Sequence, residues 1–271
     1  MELNFYKYQG TGNDFVMVDN RGQNLEEQLT ADQVKWLCDR HFGIGADGLI
    51  LLSEADDPRK ADFKMIYYNS DGRESTMCGN GGRCLVAFAH RLKAITLPTC
   101  SFEAIDGLHR AEIDLDGVAL EMMNPQGLTS VNQDDWWVDT GSPHYVRFES
   151  GAVDDVSIQE QGKSIRWRDD YRSIGGTNVN FVEILDEGKM KVRTFERGVE
   201  GETLSCGTGV TAAAFTYLKA FMSGESSDLH KVHIQTPGGQ LQVEIQNFGL
   251  DTQKVVLKGP ATFVFEGQIR L

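Results

Sequence analysis

The same short pattern occurs twice in this chain. Met77-Cys78-Gly79-Asn80-Gly81 and Ser205-Cys206-Gly207-Thr208-Gly209 each run directly into an apolar stretch of helical character. The two cysteines stand 128 positions apart, from 78 to 206, in a chain of 271 residues. A second pair of segments, Val118–Met122 and Val255–Gly259, recurs 137 positions apart, so the frame drifts by only a few residues. A period of about half the chain implies two similar halves. Their boundary is expected near Asn124-Pro125, giving an N-terminal half over 1–124 and a C-terminal half over 125–261. The last strand, 262–271, can pack back on the first half or pair with the second.

Within each half the hydrophobic period alternates between 2 and 3.6, which reads as α/β (α+β). Asn4 to Asp19 forms two strands around Gln9-Gly-Thr-Gly-Asn13. Thr30 caps a helix that the spacing of Val34, Leu37, Cys38 and Phe42 carries to about His41. Leu49–Ser53 and Phe63–Asn69 are strand-like, the segment after Cys78 is helical, and strands return over 96–123 with hairpin turns at Asp106-Gly107 and Asp116-Gly117. The second half repeats the order. Strands surround Gly141-Ser-Pro-His144, further strands cover Asn178–Leu185 and Lys191–Phe195, and a helix opens after Cys206, with strands again around Pro237-Gly238-Gly239.

Charge and composition narrow the partners. Forty acidic against 26 basic side chains give a net charge of −14, with no basic patch, which argues against nucleic acid and against anionic membrane surfaces. Nothing approaches a membrane span or a leader, so the cytoplasm is the expected location. Five irregularly spaced cysteines read as reduced thiols rather than a disulfide framework, and no ligand-spaced cluster suggests a metal. Glycine is in excess, at 29 residues against about 19 for average usage.

The duplicated pattern carries the chemistry. Glycines before a helix let the backbone turn sharply, and the first-turn N–H groups, with the partial positive charge of the helix start, can hold an anion. The same field favours a thiolate. One such cysteine reads as packing. Two at matching places, facing each other across a cleft, offer one base to each face of a carbon. Stereoinversion at a Cα needs this arrangement, with amides holding the carboxylate while one thiolate takes a proton and the opposite thiol returns one.

Gly10-Thr-Gly-Asn-Asp-Phe15, Asn69-Ser-Asp-Gly72, Met77-Cys-Gly-Asn-Gly81, Gly141-Ser-Pro-His144, Phe195-Glu-Arg-Gly198 and Ser205-Cys-Gly-Thr-Gly209 closely resemble diaminopimelate epimerases, over nearly the whole chain. The resemblance implies two pseudo-symmetric halves, each with strands wrapped around a central helix, and an active site in the cleft between them. It implies a cofactor-independent homodimer that interconverts LL- and meso-2,6-diaminopimelate for lysine and cell-wall peptide. It assigns Cys78 and Cys206 as catalytic thiols, and His144 and Glu196 as groups adjusting them. Asn13, Asn69, Gly79, Asn80, Asn178, Glu196, Arg197, Gly207 and Thr208 become substrate contacts. Arg197 suits a distal carboxylate and the asparagines suit ammonium groups.

Two positions depart from that pattern. Many members carry Asn where this chain has Ser142, and some carry Gln where it has Gly48, which places selectivity for the distal end of the substrate in question. Gly43-Ile-Gly-Ala-Asp-Gly48 matches a dinucleotide fingerprint literally, but a helix precedes it and a strand follows, the reverse of the required order. Neither NAD nor pyridoxal phosphate is expected, since no lysine is marked out for a Schiff base. Cys38, Cys84 and Cys100 are assigned to packing. Alternatives of other kinds are a proline or hydroxyproline racemase using the same two thiols, a thiol redox protein and a noncatalytic binder of small anions.

Overall fold

A computed structural model describes residues 1–222, 228–251 and 253–271. In chain order the elements are β1 (Glu2–Gly10), β2 (Asn13–Asp19), α1 (Leu25–Gln28), α2 (Ala31–Cys38), β3 (Gly48–Ser53), β4 (Phe63–Asn69), α3 (Gly79–Arg91), β5 (Thr99–Ala104), β6 (Gly107–Asp114) and β7 (Gly117–Met122). They continue with β8 (Gln126–Ser130), β9 (Asp135–Asp139), β10 (Pro143–Phe148), α4 (Ile158–Arg166), α5 (Asp169–Arg172), β11 (Asn178–Asp186), β12 (Lys189–Glu196) and β13 (Gly201–Thr203). The last are α6 (Gly207–Phe221), β14 (Leu229–Thr236), β15 (Gly239–Gln246), β16 (Lys254–Gly259) and β17 (Thr262–Arg270). The chain divides into two compact units, Met1–Leu120 with Gly259–Leu271, and Glu121–Lys258.

The two units use one pairing scheme. In the first, β1–β2 is antiparallel, β2–β3 parallel, β3–β4 antiparallel and β4–β5 parallel, followed by the antiparallel pairs β5–β6 and β6–β7. In the second, the same succession runs β9–β10, β10–β11, β11–β12, β12–β14, β14–β15 and β15–β16. The duplicated cysteine pattern thus sits on a duplicated topology, with the long helix following the fourth strand each time. The last strand, β17, pairs antiparallel with β1, from Glu2 opposite Arg270 to Gln9 opposite Thr262.

Each long helix is the centre of its own unit. Helix α3 packs on β1, β2, β3, β6 and β17, and α6 on β9, β10, β11, β12 and β15. The glycine-rich start of α3 is a poor helix former, each interior glycine costing about 1 kcal/mol relative to alanine. Burial of Leu85, Val86 and Phe88, worth about 1.5–3 kcal/mol each, outweighs it.

Several local features differ from the sequence expectation. Helix α2 begins as expected, with a reciprocal capping box between Thr30 and Gln33, but stops at Cys38 instead of reaching His41. The cause is Asp39, whose Oδ1 accepts from the backbone N–H groups of His41 and Phe42 at 2.7 and 2.8 Å and turns the chain away. Phe42 is therefore 77% exposed rather than on the buried face. Helix α4 was not foreseen. Its Ile158, Gly162 and Ile165 face inward, and Gly162 lies so close to Phe195 that a β-carbon would stand 2.4 Å from its Cβ. Among the described residues no helix is long and apolar enough to cross a membrane.

Candidate active site

Strand pairing gathers residues that are remote in sequence at one end of each unit's sheet. In the first unit β2 begins at Asn13, β3 begins at Gly48 beside Phe15, and β4 ends on Asn69 opposite Gly48. Cys78 is the N-cap of α3, in extended backbone. Its Sγ lies 3.6 Å from Asn13 Oδ1, which also accepts from Asn80 Nδ2 at 3.3 Å. The other end of the Asn13 amide donates to Asp47 Oδ2 at 2.6 Å. Asn69 is half-buried at the same sheet end, and its backbone closes the 69–73 turn. Gly79 is buried as the first residue of α3.

Charged side chains lie on two sides of these residues. Arg83, one turn into α3, is fully buried and donates to Asn80 Oδ1 at 2.9 Å and, at 3.4 Å, to Thr11 Oγ1, Gly79 O and Pro260 O. Among the described residues no carboxylate pairs with it. Burial pulls its pKa below the usual value, with the neighbouring Cys84 and Cys78 sulfurs acting in the opposite sense. On the other side Arg40 holds Asp47 and Asp14 at 2.8 and 2.7 Å, and buried Lys7 holds Asp14 at 2.8 Å and also donates to Gly45 O. Burial works against the Asp14 carboxylate, but the hydrogen bonds from Arg40 and Lys7 keep its pKa at about 2.

In the second unit Cys206 is the N-cap of α6, in extended backbone and 7% exposed. Its Sγ lies 3.5 Å from Thr208 Oγ1, and Thr208 O accepts from Thr140 Oγ1 at 3.0 Å. Gly207, first in α6, is buried and its carbonyl accepts from Thr211 Oγ1 at 2.9 Å. Strands β10 and β11 run parallel with His144 beside Asn178, and β12 ends at Glu196. Asn178 is buried and ties two loops: Oδ1 accepts from Arg197 N–H at 2.7 Å, while Nδ2 donates to Ser142 Oγ at 2.9 Å and Pro143 O at 3.0 Å. Glu196 Oε2 accepts from Thr203 Oγ1 at 2.9 Å, and the Arg197 guanidinium donates to Ile174 O at 3.3 Å.

His144 is fully buried and neutral. Thr194 Oγ1 donates to Asn180 Oδ1 at 2.9 Å, which leaves Asn180 Nδ2 to donate to Tyr145 O at 2.9 Å and to His144 Nδ1 at 3.1 Å. The ring proton is therefore on Nε2, which among the described residues has no hydrogen-bond partner. Burial, and then the Arg197 charge, depress the His144 pKa from 6.5 to about 3. The imidazole can act as a neutral N–H donor but not as a cation at neutral pH.

Both helix starts suit anionic groups. Neither first turn contains an acidic residue, and first-turn N–H groups have no acceptor within their helix. A sulfur at an N-cap beside such a cluster of donors can exchange a proton next to a bound carboxylate. Among the described residues no three His, Cys, Asp or Glu side chains come together to hold a metal ion. Burial pushes the pKa values of Cys38, Cys84 and Cys100 up to about 12.

Sequence reasoning did not single out Arg83, Asp47, Asn180 or Thr140. Arg83 carried one usable signal, a charged residue on an otherwise small and apolar helix face. Asp47 was set aside with the glycine-rich decoy, whose residues here form the turn between α2 and β3. Gly48 is required by its surroundings: a β-carbon there would lie 2.5 Å from the Tyr67 ring and 2.6 Å from Tyr68 O.

Comparison with known proteins follows the same division. The family model for diaminopimelate epimerase matches residues 5–127 and 136–264. A diaminopimelate epimerase of Flavobacterium psychrophilum is 47% identical over 268 residues, covering 98% of this chain and 100% of that protein. Among solved structures, a phenazine biosynthesis protein of the PhzF family from Bacillus anthracis superimposes with a TM-score of 0.77 at 14% identity, covering 100% of both chains. A hydroxyproline epimerase from Agrobacterium vitis, with trans-4-hydroxy-L-proline bound, gives 0.68 at 16% identity, covering 99% of this chain and 92% of that one. At such identities these two structures speak to the fold alone.

Proposed function

Because the chain belongs to the diaminopimelate epimerase family, whose members are isomerases, we propose that it inverts one α-carbon of 2,6-diaminopimelate, interconverting the LL and meso forms. The observation that carries this reading is the repeated N-cap cysteine, each at the start of a helix whose first turn lacks acidic residues. One thiolate takes the α-proton from one face and the opposite thiol donates its proton to the other face. The net change is the inverted centre, with the thiol and thiolate exchanged. First-turn amides stabilise the charge that builds up on the α-carboxylate as the proton leaves.

The other groups fit a substrate with two carboxylates and two ammonium groups. Arg197, on a loop tied down by Asn178, suits the distal carboxylate, and of the site asparagines Asn69 suits an ammonium group, since the carbonyls of Asn13, Asn80 and Asn178 already accept hydrogen bonds within the protein. His144, held neutral by burial, and Glu196, held by Thr203, are the groups assigned to adjusting the thiols. No cofactor enters the scheme. Both thiols must stay reduced, which a cytoplasmic setting provides, and the reaction would there supply lysine and cell-wall peptide precursors.

The test is α-proton exchange in D2O with purified, reduced protein and no added cofactor. Diaminopimelate is expected to take up deuterium while LL and meso forms equilibrate, and proline is expected to stay unchanged. Cys78→Ala and Cys206→Ala should each lower epimerisation by about 10²–10⁴-fold. Racemisation of proline with no action on diaminopimelate would replace this reading.

A further inference from the structure

Four side chains in the first unit form a directed chain between two fixed charges. Arg83 donates to Asn80 Oδ1 at 2.9 Å, Asn80 Nδ2 donates to Asn13 Oδ1 at 3.3 Å, and Asn13 Nδ2 donates to Asp47 Oδ2 at 2.6 Å. A guanidinium only donates and a carboxylate only accepts. The charges at the ends therefore dictate which way both intervening amides point. We propose that Arg83 and Asp47 are positioning residues that lock the Asn80 and Asn13 amides so that the carbonyl oxygen of Asn13, and not its NH₂, faces the Cys78 sulfur.

This inference rests on the reading of Cys78 as a base and deepens it. The 3.6 Å approach of Asn13 Oδ1 to Sγ favours an S–H that can donate to it. A reversed amide would instead place a donor on the sulfur and favour the thiolate. The lock thus opposes the helix start, so that the thiol which must return a proton keeps one. Other charged or titratable groups nearby include Arg40, Asp14 and Lys7 behind Asp47, Cys84 beside Arg83, and Asp106, which accepts from Met77 N–H at 3.4 Å and pairs with His109.

Alternatives for the two end residues are weaker. Asp47 is 44% exposed at its side chain, and an exposed ion pair with Arg40 gives little stability by itself. Arg83 is buried and, among the described residues, has no carboxylate partner, an expensive place for a cation whose only gain is structural.

The test reads Cys78 directly, as the pH midpoint of its alkylation by iodoacetamide in a Cys206→Ala background, without substrate. Asp47→Asn and Asp47→Leu lose the same charge, but only asparagine can still offer an acceptor to Asn13. The Leu variant is expected to have a midpoint about half a pH unit below the Asn variant, as a donor to the thiolate replaces the long neutral contact from Asn80. Arg83→Lys should keep the parental midpoint, and Arg83→Gln, which still donates to Asn80 and so keeps the lock but loses the cation near Cys78, should raise it. Equal midpoints for the two Asp47 variants would overturn the lock and leave only a charge effect. If the Arg83 variants do not fold, the Asp47 pair decides the matter. Because no turnover is measured, a failed exchange assay and a failed lock are separate results.

Discussion

Gly209 and Asn180 are packed so closely that a β-carbon on residue 209 would stand 2.4 Å from Asn180 Oδ1 and 3.3 Å from Cys206 Sγ. Asn180 in turn holds the His144 ring. Gly209→Ala would gain about 1 kcal/mol in helix propensity, but overpacking at this contact costs about 1–3 kcal/mol. The clash wins. The variant is expected to unfold at lower urea concentration and to lose most of its epimerase activity. An alanine variant with full activity and raised stability would contradict this.

Asn178 decides where Arg197 stands. Replacing it with alanine leaves the Arg197 N–H without its acceptor and releases Ser142 and Pro143. One such hydrogen bond is worth about 1.4 kcal/mol, so KM for diaminopimelate should rise about tenfold, with a smaller change in kcat. A fall in kcat at unchanged KM would instead place Asn178 at the reacting carbon.

Stability should depend on pH through His144. Its pKa in the folded chain, about 3, lies below the ordinary 6.5, so the unfolded chain takes up the proton first as the pH falls. The contribution is complete above about pH 6.5 and is lost progressively toward pH 3. Between pH 6.5 and 5 the loss is about 2 kcal/mol. Urea unfolding at pH 7 and 5 should show a smaller loss for His144→Gln than for the parent. Equal losses would show that His144 is not the group responsible.

Gly48→Gln would test how much room the sheet leaves at this position. The added β-carbon meets the Tyr67 ring at 2.5 Å and the Tyr68 carbonyl at 2.6 Å, and the second of these is backbone. The cost is about 1–3 kcal/mol, read as a lower urea midpoint. Unchanged stability would mean that the β3–β4 pair shifts readily to admit a side chain.

Part of the candidate site is marked in the sequence by local chemistry. Cys78 and Cys206 stand out by the glycines before an apolar helix, whereas Asn13 lies in an ordinary hairpin turn and enters only through the family resemblance. Helix α4 was less visible, because one of its inward positions is a glycine that fits against Phe195 and leaves only a faint apolar stripe. Asp39 ended α2 through a side-chain turn that periodicity does not register. Arg83 and Asp47 were hidden for a different reason. Their roles consist of hydrogen bonds to Asn80 and Asn13 across 3 and 34 positions, and only the first of these lies within a helix turn.

The sequence by itself determined the duplication, the main strands and the long helix of each half, and the placing of one cysteine at each helix start, because these follow from short-range periodicity and turn chemistry. The tertiary structure decided which way the asparagine amides point, that His144 is neutral and that Asn178 holds the Arg197 loop. Those depend on burial and on hydrogen-bond partners brought together by strand pairing, and neither is written in the spacing of residues along the chain.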